Sequence, residues 1–590
     1  MRRRLKGYGL ALAAVTTTLG SAPALAPAQG PIPQTPLAKA PAFTGTAATP
    51  NPVAAPEPPR HPHMAANGRS NLHSDAYQTD TNTGFGPLGR ELSVTSSFRA
   101  RECASVTFDR RGRIVTVCVG LERTTLELLD PKTLQTLAEM QLPARDLTQA
   151  GGLNVFQNFT GGGYFYLDDQ DRAVIPTASR HLFVVALDDQ QRWEIVRDVD
   201  LTSAVPSGDA IISALPDWAG RIWFASRSGV VGVLSRDGTI KTLDLQEPIG
   251  NSFAVDETGG VFIVSDKAMY RFDAGPDGVP RATWAEPYQN TGGDPKPGQS
   301  QAGSGTTPTL IGEDLVAITD NADPINVVVY RRGAQPPEGG APRKTCEQPV
   351  FTKGASSTDQ SLIATPELII VENNHGYTGP AAVEGGRTTT PGLTRIDLNP
   401  DGTCSLGWTS QETAPSVVPK LSLASGLVYT YTKEARSDGD DSWYLTTIDV
   451  RTGKTVYKAL AGEGLGFNNN YAPVTLGPDG TAYVGVLGGL VALRDGVPLP
   501  EPDLASRPPA QRAARLVFRC ERDGVVRAEV KGSAVRRVRF RLGGRFRADD
   551  RRAPFAIATR AKPGTTVTAA ATLRTKRVLT STRRVPRCGR

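Results

Sequence analysis

Short stretches of alternating apolar and polar residues fill most of the chain between residues 93 and 495. Examples are residues 105–119, 221–234 and 427–450, and each is bounded by turn-forming residues such as glycine and aspartate. A two-residue period places successive side chains on opposite faces of a β-strand. No stretch keeps the 3.6-residue period of a long helix. The pattern therefore predicts an all-β domain.

A hairpin pattern recurs through this domain as an apolar run, a turn and a second apolar run. We count eight repeats, whose turns lie 39 to 59 residues apart. The turns are centred on Gly112, Asp171, Gly220, Gly259, Asp314, Glu367, Gly426 and Gly480. This spacing is close to the length of a four-stranded propeller blade with its loops. The sequence thus predicts an eight-bladed β-propeller over residues 90–497, with seven blades as the alternative.

The last repeat is too short for a whole blade. Residues 471–495 have room for about three strands at the usual strand length. Residues 91–98 precede the first full repeat and alternate as a strand does. We expect this early strand to complete the last blade, because closing the ring removes a free sheet edge.

The two ends of the chain differ from the propeller region. Residues 1–28 combine a basic start, an apolar centre and small residues, which predicts a secretory signal peptide with Sec and twin-arginine export as alternatives. Residues 29–89 are rich in proline, alanine and threonine, and we expect a disordered linker there. A second linker is expected over residues 498–512. Residues 513–590 again alternate with a period of two, which predicts a small β-sandwich.

Charge divides the chain in a similar way. The 590 residues carry a formal charge of +7, yet residues 511–590 alone carry +18, so the preceding part is acidic at −11. Many of the basic residues are arginines of the predicted sandwich: Arg536, Arg537, Arg539, Arg541, Arg545, Arg547, Arg551 and Arg552. Arginine forms paired contacts with phosphate and carboxylate groups. We expect an anionic polymer of the cell envelope as a partner and, because the protein is exported, no nucleic acid.

No apolar stretch beyond the signal peptide is long enough for a transmembrane anchor. The sequence therefore predicts a secreted or envelope-associated protein outside the cytoplasm.

The six cysteines fit this compartment, since disulfides persist where conditions are oxidising. Fifteen pairings of six cysteines exist. We expect the pairing that joins neighbours in the chain, because it keeps each bridge inside one structural unit: Cys103 with Cys118, Cys346 with Cys404, and Cys520 with Cys588. The cysteines lack the spacing of a metal site or of a haem attachment motif.

Two segments resemble the repeat of pyrroloquinoline quinone (PQQ) type β-propellers. They are residues 472–496, with the core APVTLGPDGTAYVG, and residues 447–457, TIDVRTGKTVY. The resemblance implies the propeller fold and, in the catalytic members, a quinone with Ca²⁺. Those members carry a tryptophan in most blades and several have two adjacent cysteines, whereas this chain has Tyr457 at the tryptophan position and no adjacent cysteines. We therefore expect no PQQ here. The C-terminal part resembles the immunoglobulin-like sandwiches of secreted bacterial proteins.

Polar residues concentrate in loops that a propeller would bring to one face. These loops precede the first strand or follow the second strand of a repeat, so they converge on the central channel. The predicted binding face consists of Thr306, Thr307, Asp320, Asn321, Asp323, Asp359, Gln360, Glu372, Asn373, Asn374, Asn469, Asn470 and Tyr471. The same residue types also form ordinary turns, which is the alternative interpretation.

Two kinds of chemistry fit this face. The carboxylates of Asp320, Asp323 and Glu372 are the ligand type that Ca²⁺ requires, so a calcium site is one hypothesis and no bound cofactor is the other. His375 lies among the same loops and is the candidate general acid or base. We interpret the protein as an extracellular binding or scaffold module. The alternative is a propeller enzyme, either a quinone- and Ca²⁺-dependent dehydrogenase or a metal-assisted hydrolase or lactonase.

Overall fold

The computed structural model describes residues 30–35, 40–145, 156–158, 160–399, 403–500, 515–520, 525–531, 535–552, 554–560, 562–573 and 578–585. Nearly all regular structure in these residues is β, in agreement with the sequence. The helical elements among them are three short 3-10 turns, at Glu338–Gly340, Pro380–Val383 and Leu465–Phe467. In this described part, no helix has the length and apolar character needed to cross a bilayer.

Three strands precede the first repeat: β1 (Phe43–Gly45), β2 (Thr81–Asn82) and β3 (Ser93–Phe98). Four-stranded antiparallel sheets follow in chain order. Sheet 1 contains β4 (Glu102–Phe108), β5 (Ile114–Val119), β6 (Thr124–Leu129) and β7 (Thr136–Leu142). Sheet 2 contains β8 (Tyr166–Leu167), β9 (Ala173–Pro176), β10 (His181–Leu187) and β11 (Trp193–Asp200). Sheet 3 contains β12 (Ile211–Pro216), β13 (Ile222–Ser226), β14 (Val230–Leu234) and β15 (Ile240–Asp244).

The next sheets repeat the same order of strands. Sheet 4 contains β16 (Ala254–Val255), β17 (Val261–Val264), β18 (Ala268–Ala274) and β19 (Pro280–Pro287). Sheet 5 contains β20 (Thr309–Ile311), β21 (Leu315–Thr319), β22 (Asn326–Arg331) and β23 (Lys344–Pro349). Sheet 6 contains β24 (Ile363–Thr365), β25 (Leu368–Glu372), β26 (Leu393–Leu398) and β27 (Cys404–Ser410).

The last two sheets recruit strands from the start of the chain. Sheet 7 contains β28 (Lys420–Ser422), β29 (Leu427–Thr432), β30 (Ser442–Asp449) and β31 (Thr455–Glu463), and β1 and β2 extend it to six strands. Sheet 8 contains β32 (Val474–Leu476), β33 (Ala482–Val486) and β34 (Gly489–Arg494). Strand β3 pairs with β34 from Ser93 opposite Arg494 to Phe98 opposite Gly489. The early strand therefore completes the last sheet, as the sequence predicted.

Successive sheets pack against each other, which is consistent with a β-propeller. The buried clusters each join side chains of neighbouring sheets, for example sheets 2, 3 and 4 in one cluster and sheets 6, 7 and 8 in another. Sheet 8 also packs on sheet 1, where the rings of Phe108 and Tyr483 lie 5.6 Å apart. The first and last repeats are thus in direct contact.

Several hairpins use the same aspartate-arginine turn. In sheet 1 the Oδ1 of Asp109 accepts the backbone N–H groups of Arg111 and Arg113, each at 2.9 Å, and its Oδ2 accepts the Nε–H of Arg113 at 2.8 Å. The turns at Asp168, Asp188 and Asp217 repeat this arrangement with an arginine four residues later. The carboxylate accepts backbone N–H groups that have no carbonyl partner within the tight hairpin. An aspartate followed four residues later by an arginine therefore stabilises the turn.

The described parts of residues 29–89 are not a disordered linker, contrary to our expectation. Residues 61–89 are largely buried, and Met64, Tyr77 and Leu88 are each at most 2% exposed. The segment shows no alternation of apolar and polar residues because it does not form a sheet of its own. It is held in place by backbone hydrogen bonds to the sheets of the repeats. Composition alone therefore misled the prediction.

The C-terminal part contains two small sheets that share one core. One has the order β35 (Arg515–Cys520), β36 (Val526–Lys531) and β39 (Phe555–Thr559). The other has the order β38 (Arg545–Asp550), β37 (Val535–Leu542), β40 (Thr566–Leu573) and β41 (Val578–Arg584). Buried side chains from both sheets, including Ala528, Phe540 and Val567, form one cluster.

Two of the three expected disulfides are confirmed. Cys103 and Cys118 lie opposite each other on β4 and β5 and are bonded. Cys346 on β23 is bonded to Cys404 on β27 and so joins sheets 5 and 6. The expected bridge between Cys520 and Cys588 lies outside the described residues. Two disulfides fit an oxidising compartment, and the predicted signal peptide at residues 1–28 also lies outside the described part.

Candidate functional site

In a β-propeller the first strands of the sheets line the central channel, and here the N-terminal segment bonds to these strands. Residues 65–80 bond to these inner strands one after another. The backbone N–H groups of Val255, Leu310, Ala364 and Leu421 donate to the carbonyls of Ala76, Tyr77, Thr79 and Asp80 at 2.9 to 3.0 Å. Asn71 forms a bridge with Tyr166 of sheet 2. The channel is therefore closed on this side by the protein's own chain.

Loops cover the opposite side of the channel, where the inner strands begin. The backbone N–H of Ser300 donates to Asp359 Oδ2 at 3.1 Å, and the Gln157 amide donates to the carbonyl of Gln299 at 3.3 Å. Both Gln299 and Ser300 are buried. Residues 298–300 thus lie against the part of the predicted face around Asp359 and Asn374.

Most of the predicted face is buried. We call nine of its buried members the channel group: Thr306, Thr307, Asp359, Gln360, Glu372, Asn374, Asn469, Asn470 and Tyr471. Asp320, Asn321 and Asn373 are also buried. Asn374 connects several members of the channel group. Its Oδ1 accepts from Thr358 Oγ1 and from the backbone N–H of Asp359, both at 3.0 Å, and its Nδ2 donates to Glu372 Oε1 at 2.8 Å. The structure therefore brings these residues together as a polar interior and not as an open binding surface.

Sequence reasoning missed two members of this interior, Glu102 and Tyr377. Asn470 Nδ2 donates to Glu102 Oε2 at 3.0 Å, and the hydroxyl of Tyr377 donates to Asn468 Oδ1 at 2.9 Å. Glu102 lies in β4, at the place in sheet 1 that corresponds to the channel loops of sheets 6 and 8. Glu102 could have been identified from its position at the start of the first strand of a repeat.

Three carboxyls lie in this interior: Asp359 and Glu372 are buried, and Glu102 is half-buried with its Oε1 atom enclosed. Burial raises the pKa of Glu102 to about 8 and that of Asp359 to about 7. Burial also raises the pKa of Glu372 well above its ordinary value. At neutral pH Glu102 is largely protonated, so it acts as a neutral hydrogen-bonding group.

Some polar atoms of this interior have no hydrogen-bond partner among the described residues: Glu102 Oε1, Asp359 Oδ1, Asn468 Nδ2 and Asn469 Oδ1. Buried polar atoms in proteins are normally satisfied, often by internal water. The channel interior therefore has the chemistry to hold ordered water between sheets 1, 6 and 8.

Glu102 gives a pH-dependent prediction. Its folded-state pKa lies above the ordinary value of 4.5, so the folded protein holds a proton that the unfolded chain has released. This group therefore lowers stability progressively as pH rises from about 4.5 to about 8, by up to about 1.4 kcal/mol per pH unit. The Glu102→Gln variant keeps the shape and cannot ionise. We expect its stability advantage over the parent protein to grow as the pH is raised from 5 to 8.

Urea unfolding followed by tryptophan fluorescence measures this effect, because all six tryptophans lie between residues 193 and 443. The exposed Glu122→Gln variant is the matched control and should leave the pH profile unchanged. Equal advantages for Glu102→Gln at pH 5 and pH 8 would show that Glu102 ionises normally in the folded protein.

The predicted calcium ligands do not converge. Asp320 Oδ1 accepts the backbone N–H of Asn326 at 2.7 Å, and Asp323 Oδ1 accepts that of Gly354 at 2.7 Å. Glu372 points to Asn374 inside the channel. Within the part of the chain that the structure describes, no three His, Cys, Asp or Glu side chains are placed to hold a metal ion. The residues present do not fit the expected calcium site.

A quinone fits the channel no better. PQQ carries three carboxylates, and such a ligand needs cationic partners in a buried site. The channel group contributes the carboxyls of Asp359 and Glu372, Glu102 bonds to it through Asn470, and residues 65–80 and 298–303 occupy the two ends. These residues do not accommodate a polyanionic quinone.

His375, the predicted acid or base, stands apart from the channel group. It is half-buried, and its Nδ1 lies 3.2 Å from Thr390 Oγ1. Burial, and then the charge of Lys296, lowers its pKa. Its neighbour Asn373 turns away from the channel and donates to the carbonyl of Ala355 at 3.0 Å. The backbone N–H of His375 donates to Asn373 Oδ1 at 3.2 Å, whereas the carboxyl of Glu372 bonds to Asn374 and that of Asp320 to Asn326. The four side chains therefore bond to different partners and do not face one common site.

A second buried polar cluster contains His73, which sequence reasoning had placed in the linker. Asp80 bonds to Lys420 Nζ, accepts from Ser361 Oγ at 2.8 Å, and lies 3.1 Å from His73 Nδ1. Burial alone would raise the pKa of Asp80, but Lys420 and His73 hold it below its ordinary value. This cluster joins the N-terminal segment to sheets 6 and 7.

The arginines of the C-terminal part form an exposed face on β37 and β38. Along β37 the buried Val538 and Phe540 alternate with the exposed Arg539 and Arg541. Arg537 pairs with Asp549 across the two strands. Phe546 lies opposite Arg541 and is 62% exposed. The predicted strand alternation is confirmed here, and it places positive charge on one side of the sheet.

Comparisons with known proteins leave the function open. No family model matches the chain. An uncharacterised protein of Archaeoglobus fulgidus is 29% identical over 336 residues, which cover 49% of this chain and 62% of that protein. The chain thus spans less than two thirds of the length of this relative.

Several solved structures share a general likeness at low identity. Virginiamycin B lyase from Staphylococcus aureus is 11% identical with a TM-score of 0.33, over 58% of this chain and 97% of the lyase. The extracellular domain of BT4673 from B. thetaiotaomicron is 11% identical with a TM-score of 0.31, over 83% of this chain and 69% of that domain. The dihydro-heme d1 dehydrogenase NirN is 11% identical with a TM-score of 0.39, over 69% and 78%. At these scores nothing about function follows.

Proposed function

We propose that this protein is an exported eight-bladed β-propeller that acts as a binding or scaffold module and attaches to anionic envelope polymers through its C-terminal arginine face. We define this face as Arg537, Arg539 and Arg541, which lie on one side of β37. The exposed row of arginines is the observation that supports the proposal most directly. The C-terminal domain would be an immunoglobulin-like sandwich.

The geometry of the row favours a repeating ligand. Alternate residues on a strand lie about 7 Å apart on the same side, so Arg537, Arg539 and Arg541 present a ladder of cationic groups. Only part of this charge is neutralised within the described residues: Asp549 pairs with Arg537 and lies 4.0 Å from Arg539. No acidic partner for Arg541, Arg545 or Arg547 is found in the described residues. A polymer of phosphates or carboxylates would match such a ladder.

The propeller is better suited to a structural or binding role than to catalysis in its channel. Its channel is closed by residues 65–80 on one side and by residues 298–303 on the other. The acids Glu102, Asp359 and Glu372 bond to neighbouring polar groups of the interior. A partner would therefore reach outer surfaces of the sheets and not the channel interior.

Binding of the mature full-length chain to immobilised polyphosphate tests the proposal. We expect binding at low ionic strength and release near 1 M salt, where the screening length falls to about 3 Å. The double variant Arg539→Gln/Arg541→Gln should weaken binding about tenfold, because two exposed charges are lost from the ladder.

The double variant Arg110→Gln/Arg192→Gln is the matched control, because both arginines are exposed on hairpins of the propeller. It should bind polyphosphate as the parent protein does, and neutral dextran should bind neither. Equal losses for the two double variants would mean that general charge, and not the arginine face, drives binding.

A further inference from the structure

A cleft of about 470 Å³ lies beside sheet 5, outside the channel group. Its walls come from the strand β22, the end of β23 and the loops at residues 289–291 and 322–324. It is lined by Gln289, Asn290, Thr291, Ala322, Asp323, Pro324, Asn326, Glu347 and Pro349. A volume of this size is sufficient for a ligand of one or two sugar rings.

One buried side chain in this wall offers an unused acceptor to the cleft. Asn326 is only 6% exposed, and its Nδ2 donates to Asp320 Oδ2 at 2.6 Å. This bond fixes the orientation of the amide, so the Oδ1 atom is left for a ligand. No donor to that oxygen is found among the described residues. Asp320 is therefore a positioning residue and not a metal ligand.

Other lining groups are also acceptors. Asp323 uses Oδ1 for the backbone N–H of Gly354, which leaves Oδ2. The Gln289 Nε2 group donates to Glu347 Oε1 at 2.6 Å. The side-chain carbonyl of Gln289 is then left to accept a hydrogen bond from a ligand. The cleft therefore offers Asp323 Oδ2 and two amide oxygens, beside the carboxylate of Glu347, which already accepts from Gln289 and Lys344.

Several donors in or near the cleft are already used. The Asn290 amide donates to the carbonyls of Asp266 and Ala302 at 2.7 and 2.9 Å, so it is fully used. Lysines near the cleft are engaged as well: Lys344 pairs with Glu347, and Lys296 donates to the carbonyl of Ala322. A ligand that complements this lining must supply several donors and a positive charge.

We propose that this cleft binds a protonated amino sugar. Its ammonium group would lie against Asp323, and its hydroxyls would donate to the oxygens of Asn326 and Gln289. Pro324 and Pro349 present apolar ring edges to the C–H faces of the sugar. This site is independent of the arginine face, which would take an anionic ligand.

Isothermal titration of the mature chain with glucosamine tests the site. We expect glucosamine to bind about tenfold more tightly than glucose or N-acetylglucosamine, which lack the charge. Putrescine supplies ammonium groups without hydroxyls and should bind more weakly than glucosamine. Equal affinities for glucosamine and glucose, or for glucosamine and putrescine, would overturn the amino-sugar assignment, as would no binding of glucosamine.

Two conservative variants locate the binding. Asp323→Asn keeps an oxygen for the Gly354 N–H, and Glu347→Gln keeps an acceptor for Gln289, so both should fold. Each should weaken glucosamine binding, Asp323→Asn by about tenfold. Asp438→Asn removes an exposed carboxylate elsewhere and should leave binding unchanged. Unchanged affinity in both cleft variants would refute the site.

Discussion

Replacement of Lys420 with methionine should lower the free energy of unfolding of the propeller by about 3 to 5 kcal/mol, because it leaves a buried charge without its partner. Lys420 and Asp80 are each at most 2% exposed at their side chains and form an ion pair. Lys420 Nζ also donates to the carbonyl of Leu72 at 2.6 Å. Methionine keeps most of the volume but leaves Asp80 with only Ser361 and His73. Urea unfolding followed by tryptophan fluorescence measures the loss.

The matched control is Lys344→Met, which removes an exposed ion pair with Glu347 and should cost about 1 kcal/mol or less. A second variant tests the cause. Adding Asp80→Asn to Lys420→Met removes the stranded charge, so the double variant should recover part of the loss. If the double variant is as unstable as the sum of the two single variants, the two side chains are not coupled in the folded protein.

Loss of the Cys346–Cys404 disulfide between sheets 5 and 6 should lower the free energy of unfolding by a comparable amount. The pair Cys346→Ala/Cys404→Ala opens a connection between cysteines 58 residues apart, for which loop entropy predicts a loss of about 4 kcal/mol. Cys103 and Cys118 are only 15 residues apart, and their removal should cost about 3 kcal/mol by the same reasoning. Both disulfides lie in the part of the chain that contains the tryptophans, so one fluorescence experiment compares them.

The double variants of the two pairs are controls for each other, since each replaces two cysteines with alanine. Reduction of the parent protein should lower its stability below that of either variant. A smaller loss for the Cys346–Cys404 pair than for Cys103–Cys118 would contradict the entropic account. It would indicate that sheets 5 and 6 are already held together by their packing.

Most of the fold was predictable from the repeat pattern of the sequence. Alternation and turn residues identified the strands of the sheets, since both depend on local backbone geometry. The incomplete last repeat identified β3 as the strand that completes sheet 8. The spacing of the cysteines gave two correct disulfides, because each bridge lies within one repeat or between neighbouring repeats.

The candidate site was less predictable, for a physical reason. Sequence spacing correctly indicated that loops at Asp359, Asn374 and Asn470 converge on the channel. It could not show that residues 298–300 lie against this face or that Glu102 joins the group. Whether a carboxylate is buried or exposed depends on segments far away in the chain, and the pattern of residues around it does not record them.

The alternation of apolar residues and the spacing of turns and cysteines were sufficient to predict the all-β class, the order of the repeated sheets, the closing strand and two disulfide pairings. The tertiary structure decided that residues 65–80 enter the channel and that Asp320 orients Asn326. Local periodicity specifies strands because it reflects which face of each strand is buried. Residues 65–80 have no such period, since their backbone groups bond to sheets 1, 2, 4, 5, 6 and 7, which lie far apart in the chain.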